Sequence, residues 1–272
     1  MERVNLIGAG KVGQTLARLI AASTGYQLGD VYSRSVSSAV ETVKAAGQGT
    51  ARTVLNDMAP AELWLICVPD DQITATAQAL SQAQMPPSVA MHCSGFLDAS
   101  ALEPLADLGW QTASCHPVLS FADPAIAASQ FAGTYCAVEG SAAQCASALI
   151  TALQGHPFPV NAAQKALYHA AAVFSNNFAT VLQAIAQEAW TAADVPPDVA
   201  KALGQKLLDG TAASVARLGP AAALTGPAAR GDDAVLTRQG AAVADWHPEA
   251  GSLYETFSTL ARRLKDTGST LP

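Results

Sequence analysis

The run Val4 to Gly13, VNLIGAGKVG, sets Gly8, Gly10 and Gly13 directly after an apolar segment and directly before a helical pattern through Leu16, Leu19 and Ile20. In a strand, turn and helix, G-x-G-x-x-G spacing builds an anion cradle. Gly8 permits the turn, Gly10 lets the backbone approach a pyrophosphate, and Gly13 lets the helix pack on the strand. The first N–H groups of the helix lack intrahelical acceptors and lie at the positive end of its dipole, which favours phosphate. Gly8, Ala9, Gly10, Lys11, Val12 and Gly13 are therefore expected to bind a dinucleotide; the bland alternative is a glycine turn in some other α/β protein.

The residues ending the second strand choose between dinucleotides, an acid selecting NAD and an arginine accommodating NADP. Here the segment is Val31-Tyr32-Ser33-Arg34-Ser35, and its one acid, Asp30, precedes Val31 inside the strand. Ser33, Arg34 and Ser35 offer a guanidinium fork and two hydroxyls to a 2′-phosphate, so NADP is favoured over NAD. The fourth strand ends Cys67-Val68-Pro69-Asp70-Asp71, with Val68 and Pro69 beside the expected cofactor and Asp70 or Asp71 read as a helix cap. Two further loops, His92-Cys93-Ser94-Gly95 and His116-Pro117-Val118-Leu119-Ser120-Phe121, follow later strands. His92 and Ser94 are expected near the cofactor and His116 and Ser120 near a substrate, although either histidine could equally be structural.

A second cluster lies on the long pattern NAAQKALYHAAAVFSNNFATVLQAIAQEAW. Lys165, His169, Ala172, Asn176, Thr180, Gln183 and Gln187 share a face at helical spacing, with Tyr168 and Asn177 flanking it. Solvated faces usually carry full charges. This one offers groups that hydrogen-bond directionally without the desolvation cost of a charge, as a substrate cleft requires. His169 could move a proton at neutral pH, and Asn176 could hold a substrate oxygen. In Leu224–Asp232, LTGPAARGD, Arg230 either pairs locally with Asp232 or grips a carboxylate.

These residues need elements to carry them. Strand-like runs at Val4–Ile7, Gln27–Ser33, Arg52–Leu55 (weak), Leu63–Val68, Val89–Cys93, Thr112–His116 and Tyr135–Val138 alternate with helical patterns, predicting a doubly wound parallel sheet. After about residue 160 only helical patterns remain: Asn161–Trp190, Asp198–Leu218, Asp232–Ala244 and Pro248–Leu264. The expected class is an α/β Rossmann-like domain over 1–158 followed by an all-α substrate and dimerisation domain over 159–272. Of 272 residues, 50% are hydrophobic and 14% charged, and the net charge is −7, which argues against a nucleic-acid surface. Cys67, Cys93, Cys115, Cys136 and Cys145 form no C-x-x-C pair and read as small buried hydrophobes, so no metal is expected. Without a signal-peptide pattern or a spanning apolar segment, a cytoplasmic chain with no membrane partner is expected.

Gly8–Gly13 together with ICVPD, HCSG, HPVLSF, YHAAAVFSNN and LTGPAARGD resembles a family of bacterial proteins that join a Rossmann-like domain to a helical domain. That family is similar in architecture to the 6-phosphogluconate dehydrogenase, pyrroline-5-carboxylate reductase and ketopantoate reductase group. The resemblance implies an NADP-dependent oxidoreductase of a small carbonyl or imine compound, such as the 2-keto acid ketopantoate, and a homodimer through the helical domain. Ketopantoate reductases carry Asn four residues after a catalytic Lys; here Lys165 is followed by His169, and Asn176-Asn177 comes later. On this reading Lys165, His169, Asn176 and His116 are catalytic, and Ser120, Asn177 and Arg230 bind substrate, Arg230 from the same or the partner subunit. The alternative is a non-catalytic NADP(H)-binding sensor or partner protein, and a weaker one is an oxidative decarboxylase of hydroxy acids.

Overall fold

The computed structural model describes residues 1–272. The chain divides into two compact units, Met1–Asn176 and Asn177–Pro272. This division falls later than the 158/159 boundary expected from the sequence, because the first helical turns after residue 160 pack with the sheet.

The first unit holds an eight-stranded sheet in the order β3-β2-β1-β4-β5-β6-β7-β8. The strands are β1 (Glu2–Ile7), β2 (Tyr26–Tyr32), β3 (Thr50–Arg52), β4 (Leu63–Ile66), β5 (Val89–His92), β6 (Gln111–Pro117), β7 (Tyr135–Gly140) and β8 (His156–Pro159). Its helices are α1 (Lys11–Ala22), α2 (Val36–Ala46), α3 (Asp70–Gln82), α4 (Glu103–Ala106), α5 (Pro124–Gln130), α6 (Ala143–Ala152) and α7 (Lys165–Val173). The chain builds outward from β1 to β3 and then resumes on the other side of β1 with β4. The switch point therefore lies between β1 and β4, at whose carboxyl ends Gly8 and Cys67 follow, and there a crevice opens in such sheets.

Neighbouring side chains along each strand feed opposite cores. Leu6 and Leu65 join Leu16, Ile20 and Leu149 on one face, while Ile7, Trp64 and Ile66 join Ile73, Leu80 and Leu105 on the other. Helices covering both faces explain the nearly continuous apolar character of the strands.

Three details depart from expectation. The sheet is parallel only through β6, since β7 runs antiparallel to β6; the chain leaves β6 through α5 and re-enters at the same end, with no crossover. The strand expected at Arg52–Leu55 lies at Thr50–Arg52, and Leu55–Asp57 forms a 3-10 turn. Residues 156–159, at the expected domain boundary and not among the expected strands, form β8, an edge strand whose Pro157 and Pro159 need no second neighbour.

The expected single helix Asn161–Trp190 is a 3-10 turn at Ala162–Gln164, then α7, a π turn at Phe174–Phe178, and α8 (Ala179–Ala192). The second unit continues with α9 (Pro197–Leu218), α10 (Pro220–Ala223), α11 (Pro227–Arg230), α12 (Asp233–Trp246) and α13 (Pro248–Thr267). Within it α12 and α13 pack closely: a Cβ on Gly251 would stand 2.7 Å from the Ala244 backbone. No helix is long and apolar enough to cross a membrane.

Candidate active site

The glycine turn is built as its spacing predicts. Gly8 has φ +104°, and a Cβ there would overlap the Cys67 carbonyl, while a Cβ on Gly13 would overlap the Gly8 carbonyl. These two glycines let β1, α1 and the end of β4 close together. Gly10 differs: a Cβ would meet nothing within 4 Å, so its exposed backbone faces open space. Gly10 caps α1 without a side-chain bond, and α1 has no acid in its first turn. A diphosphate fits such a cradle.

Beside the turn is a cavity of about 720 Å³, lined by Gly8, Gly10, Ser33, Arg34, Val68 and Pro69 among others. Arg34 is exposed at its wall. Ser35 is occupied locally, its hydroxyl accepting from the Ser38 N–H and hydroxyl as the cap of α2. Asp30 is fully buried, paired with Arg3 at 3.1 Å and Arg52 at 3.2 Å, and accepts the Ala59 N–H. It is thereby consumed in holding β1, β2 and β3 and leaves no carboxylate for a ribose 2′-hydroxyl.

The loops after β4, β5 and β6 meet next to this cavity. Asp70, following Pro69, accepts the Ser94 hydroxyl at 2.8 Å. Neither Asp70 nor Asp71 caps α3, whose cap position is Pro69. The Ser94 hydroxyl also receives the Phe96 and Leu97 N–H groups, which winds the loop tightly around it. His92 and Ser94 were expected to face a cofactor and do not. His92 is fully buried; its Nδ1 accepts the Ser94 N–H, and Nε2 donates to the Asp98 carbonyl at 2.9 Å. With both nitrogens engaged inside, His92 is a loop former, and burial holds its imidazole down at about 4, so that it stays neutral.

Gly95 is the meeting point. A Cβ there would stand 2.9 Å from His116 Nε2, and His169 Nδ1 lies nearer still. The two imidazoles sit 5.4 Å apart, edge to face. His116 Nδ1 bonds the Tyr168 hydroxyl at 2.8 Å, whereas His169 Nδ1 is buried without a partner. Burial, then the neighbouring His169 and Lys165, bring His116 down to about 4; burial pushes the Tyr168 phenol up to about 12. The arrangement is therefore one neutral imidazole tied to a protonated phenol, beside a second imidazole with an open nitrogen. Such a pair can bond and protonate a group gaining negative charge.

Lys165, expected among the catalytic groups, lies at the base of this cluster and is only 1% exposed. Its ammonium bonds the Ser94 carbonyl at 3.1 Å and the Ser114 hydroxyl, and pairs with Glu139 at 3.9 Å. It has no face toward a ligand.

The rest of the expected stripe does not form one surface. The π turn at Phe174–Phe178 adds a residue to the repeat, so the 3.6-residue spacing does not run through it. Asn176 and Asn177 sit in that turn, exposed, as does Ser120 in the loop after β6. Arg230 ends α11 and does not pair with Asp232, which instead caps α12 through the Val235 N–H; Asp233 pairs with Arg262. The sequence pattern sets Tyr168 beside the stripe and Gly95 in a loop without giving either a role, and it carries no sign of Ser114 or Glu139. Gly95 carried the one available signal, a glycine just past a strand end, within reach of two histidine motifs.

Residues 2–117 match the Rossmann-like domain family, and residues 134–261 match a domain of unknown function, DUF2520. Among solved structures, a "putative NADP oxidoreductase" from Bacteroides fragilis is 25% identical at TM-score 0.79, over 96% of this chain and 98% of its own. A Thermotoga maritima protein is 24% identical at TM-score 0.77, over 97% and 99%. A pyrroline carboxylate reductase from Plasmodium falciparum, solved with NADP bound, is 11% identical at TM-score 0.60, over 97% and 98%. The last two likenesses are of fold. Among curated protein sequences none matches this chain.

Proposed function

We propose that this chain, a Rossmann-like domain joined to a DUF2520 domain, is an NADP-dependent oxidoreductase that reduces a small carbonyl or imine compound. One observation carries this reading: the imidazoles of His116 and His169 converge on Gly95 in a loop that one hydrogen bond, Ser94 to Asp70, links to the wall of the dinucleotide cavity.

Gly8–Gly13 and the start of α1 would hold the diphosphate, Val68 and Pro69 would flank the cofactor, and Arg34 with Ser33 would take the 2′-phosphate. The burial of Asp30 and the Bacteroides fragilis relative both support NADP over NAD. When bound, the reduced nicotinamide supplies a hydride. The chain's own residues handle the proton. Tyr168 stays protonated and donates to His116 Nδ1, leaving the hydrogen on Nε2 to bond the substrate oxygen or nitrogen as charge builds there. A neutral imidazole does this without giving up its proton. His169 delivers the proton through Nδ1. In the first unit the exposed Ser120 and Asn176 would contact substrate; Asn177 and Arg230 belong to the second unit, where Arg230 offers a cation for a carboxylate.

In the second unit Val199, Leu203 and Leu207 recur every fourth residue along α9 and are all exposed, which supports a homodimer through the helical region; light scattering of the purified chain tests it.

The activity test is NADPH oxidation with a panel of 2-keto acids (ketopantoate among them), 2-keto lactones and cyclic imines. His169→Ala is expected to lower kcat about a hundredfold, the ordinary contribution of a positioned general acid. Unchanged turnover would remove His169 from the mechanism. Tight NADPH binding with no consumption by any compound would favour the sensor reading.

A further inference from the structure

The most deeply buried charge beside the proposed site is one that the mechanism does not use. A lysine that is 1% exposed is costly to keep ionised unless its hydrogens find acceptors and a counter-charge. Lys165 has all of these, and each acceptor comes from a different segment. Ser94 lies in the loop after β5, Ser114 on β6 and Glu139 on β7. Glu139 Oε1 also accepts the Ala99 N–H at 2.9 Å, so the same carboxylate holds the far end of that loop. The Ser114 hydroxyl lies 3.2 Å from the Ser94 carbonyl and closes the cluster. Burial pushes the Glu139 carboxyl up and the Lys165 ammonium down, while their mutual attraction opposes each shift.

We propose that Lys165, backed by Glu139, is a positioning residue: it pins the Ser94–Gly95 peptide and α7 to the sheet, and so fixes Gly95 against the imidazoles of His116 and His169. This rests on reading that meeting point as the reacting site. The carbonyl Lys165 holds belongs to the peptide that leads into Gly95, so fixing its oxygen fixes the plane from which Gly95 departs. Tyr168 and His169 stand three and four residues after Lys165, on the same helical face. One buried ammonium therefore sets the loop and both ring-bearing residues of the helix in register. Its burial and its bonds to Ser94 and Ser114 commit it to the protein interior rather than to a substrate.

The first test uses the wild-type chain. Reductive methylation followed by peptide mass spectrometry should modify the exposed Lys11, Lys44, Lys201, Lys206 and Lys265 and spare Lys165. Modification of Lys165 as fast as Lys11 overturns the proposal, even where variants do not fold. The second test compares Lys165→Met and Lys165→Met/Glu139→Leu by NMR and kinetics. The charged and titratable groups acting on His116 are His169, Tyr168 and Lys165 from α7 and Asp70 from α3. Removing the lysine cation should move the His116 midpoint upward from about 4 and shift the Gly95 amide signal. It should lower kcat about tenfold or more while NADPH affinity stays within about twofold. Gly95 and imidazole signals that coincide with wild type would overturn the pin. A wild-type chain that turns over no compound at all would overturn the oxidoreductase reading instead, leaving the methylation and NMR results standing.

Discussion

Gly95→Ala isolates the meeting point of the two histidines from the fold that carries it. Gly95 does not have the positive φ found at Gly8 or Gly140, so alanine meets no backbone strain there. The new Cβ would stand 2.9 and 3.0 Å from two His116 ring atoms, inside the 3.4 Å at which ordinary contact begins, and closer still to His169. His116 must yield by about half an ångström and His169 by roughly one, through ring rotation rather than backbone movement. Overpacking of this kind costs about 1–3 kcal/mol. The larger expected effect is on catalysis, since a shift near 1 Å in an acid or its partner lowers turnover by about a hundredfold. NADPH should bind as to wild type, because Gly10 and Arg34 are untouched. The assays are NADPH oxidation with the best compound of the panel and calorimetric NADPH binding on the same sample. A Gly95→Ala enzyme with wild-type kcat would refute the convergence of His116 and His169 as the reacting geometry.

Three further outcomes are expected. Gly10→Ala should fold with an unchanged Tm, since its Cβ meets nothing, yet bind NADP(H) more weakly; Gly8→Ala should lose stability as well, and equal Tm losses in both would contradict the separate roles of these glycines. Arg34→Glu should weaken NADPH about ten- to a hundredfold, the worth of one charge-assisted bond, with little effect on NADH; equal losses for both would remove the 2′-phosphate assignment. His92 is held at about 4 when folded, so between there and its ordinary value near 6.5 the unfolded chain binds the additional proton. The contribution of His92 should be complete above about pH 6.5 and fall by about 3 kcal/mol as the pH drops toward 4, with His116, also held at about 4, losing stability over the same range, and a urea midpoint flat from pH 7 to 4.5 would contradict this.

Much of the first unit was legible because its information is local. An apolar run entering Gly8–Gly13 specifies strand, turn and helix within some twenty residues, and the two-faced core follows from continuous apolar strands. The direction of β7 was not legible, because it depends on where α5 returns the chain and no tight hairpin marks it. β8 was hidden by Pro157 and Pro159, which argue against a strand anywhere but at an edge, and edge position is a property of the whole sheet. The π turn at Phe174–Phe178 carries no glycine or proline, so the counted stripe passed through it unbroken. Lys165 sat on that stripe as a polar residue, and nothing local could tell that Ser94, Ser114 and Glu139, far away in sequence, would bury it.

The histidines make the same point about function. His92 and His116 both lie at the carboxyl ends of neighbouring parallel strands, and by residue type and position they are equivalent. Their partners separate them. The loop after β5 folds back so that the Asp98 carbonyl and the Ser94 N–H take both nitrogens of His92; the ring becomes scaffold, and its neutrality serves the loop. After β6 the chain turns away, and His116 meets only the Tyr168 hydroxyl on Nδ1, leaving Nε2 toward Gly95. His169 arrives from a helix and finds no partner for Nδ1. A buried nitrogen left without a partner costs about 1–3 kcal/mol, a cost that a bound substrate atom would relieve. The nitrogen a fold leaves unsatisfied thus locates its chemistry better than the residue type does, and here that nitrogen and the free side of His116 face the same glycine.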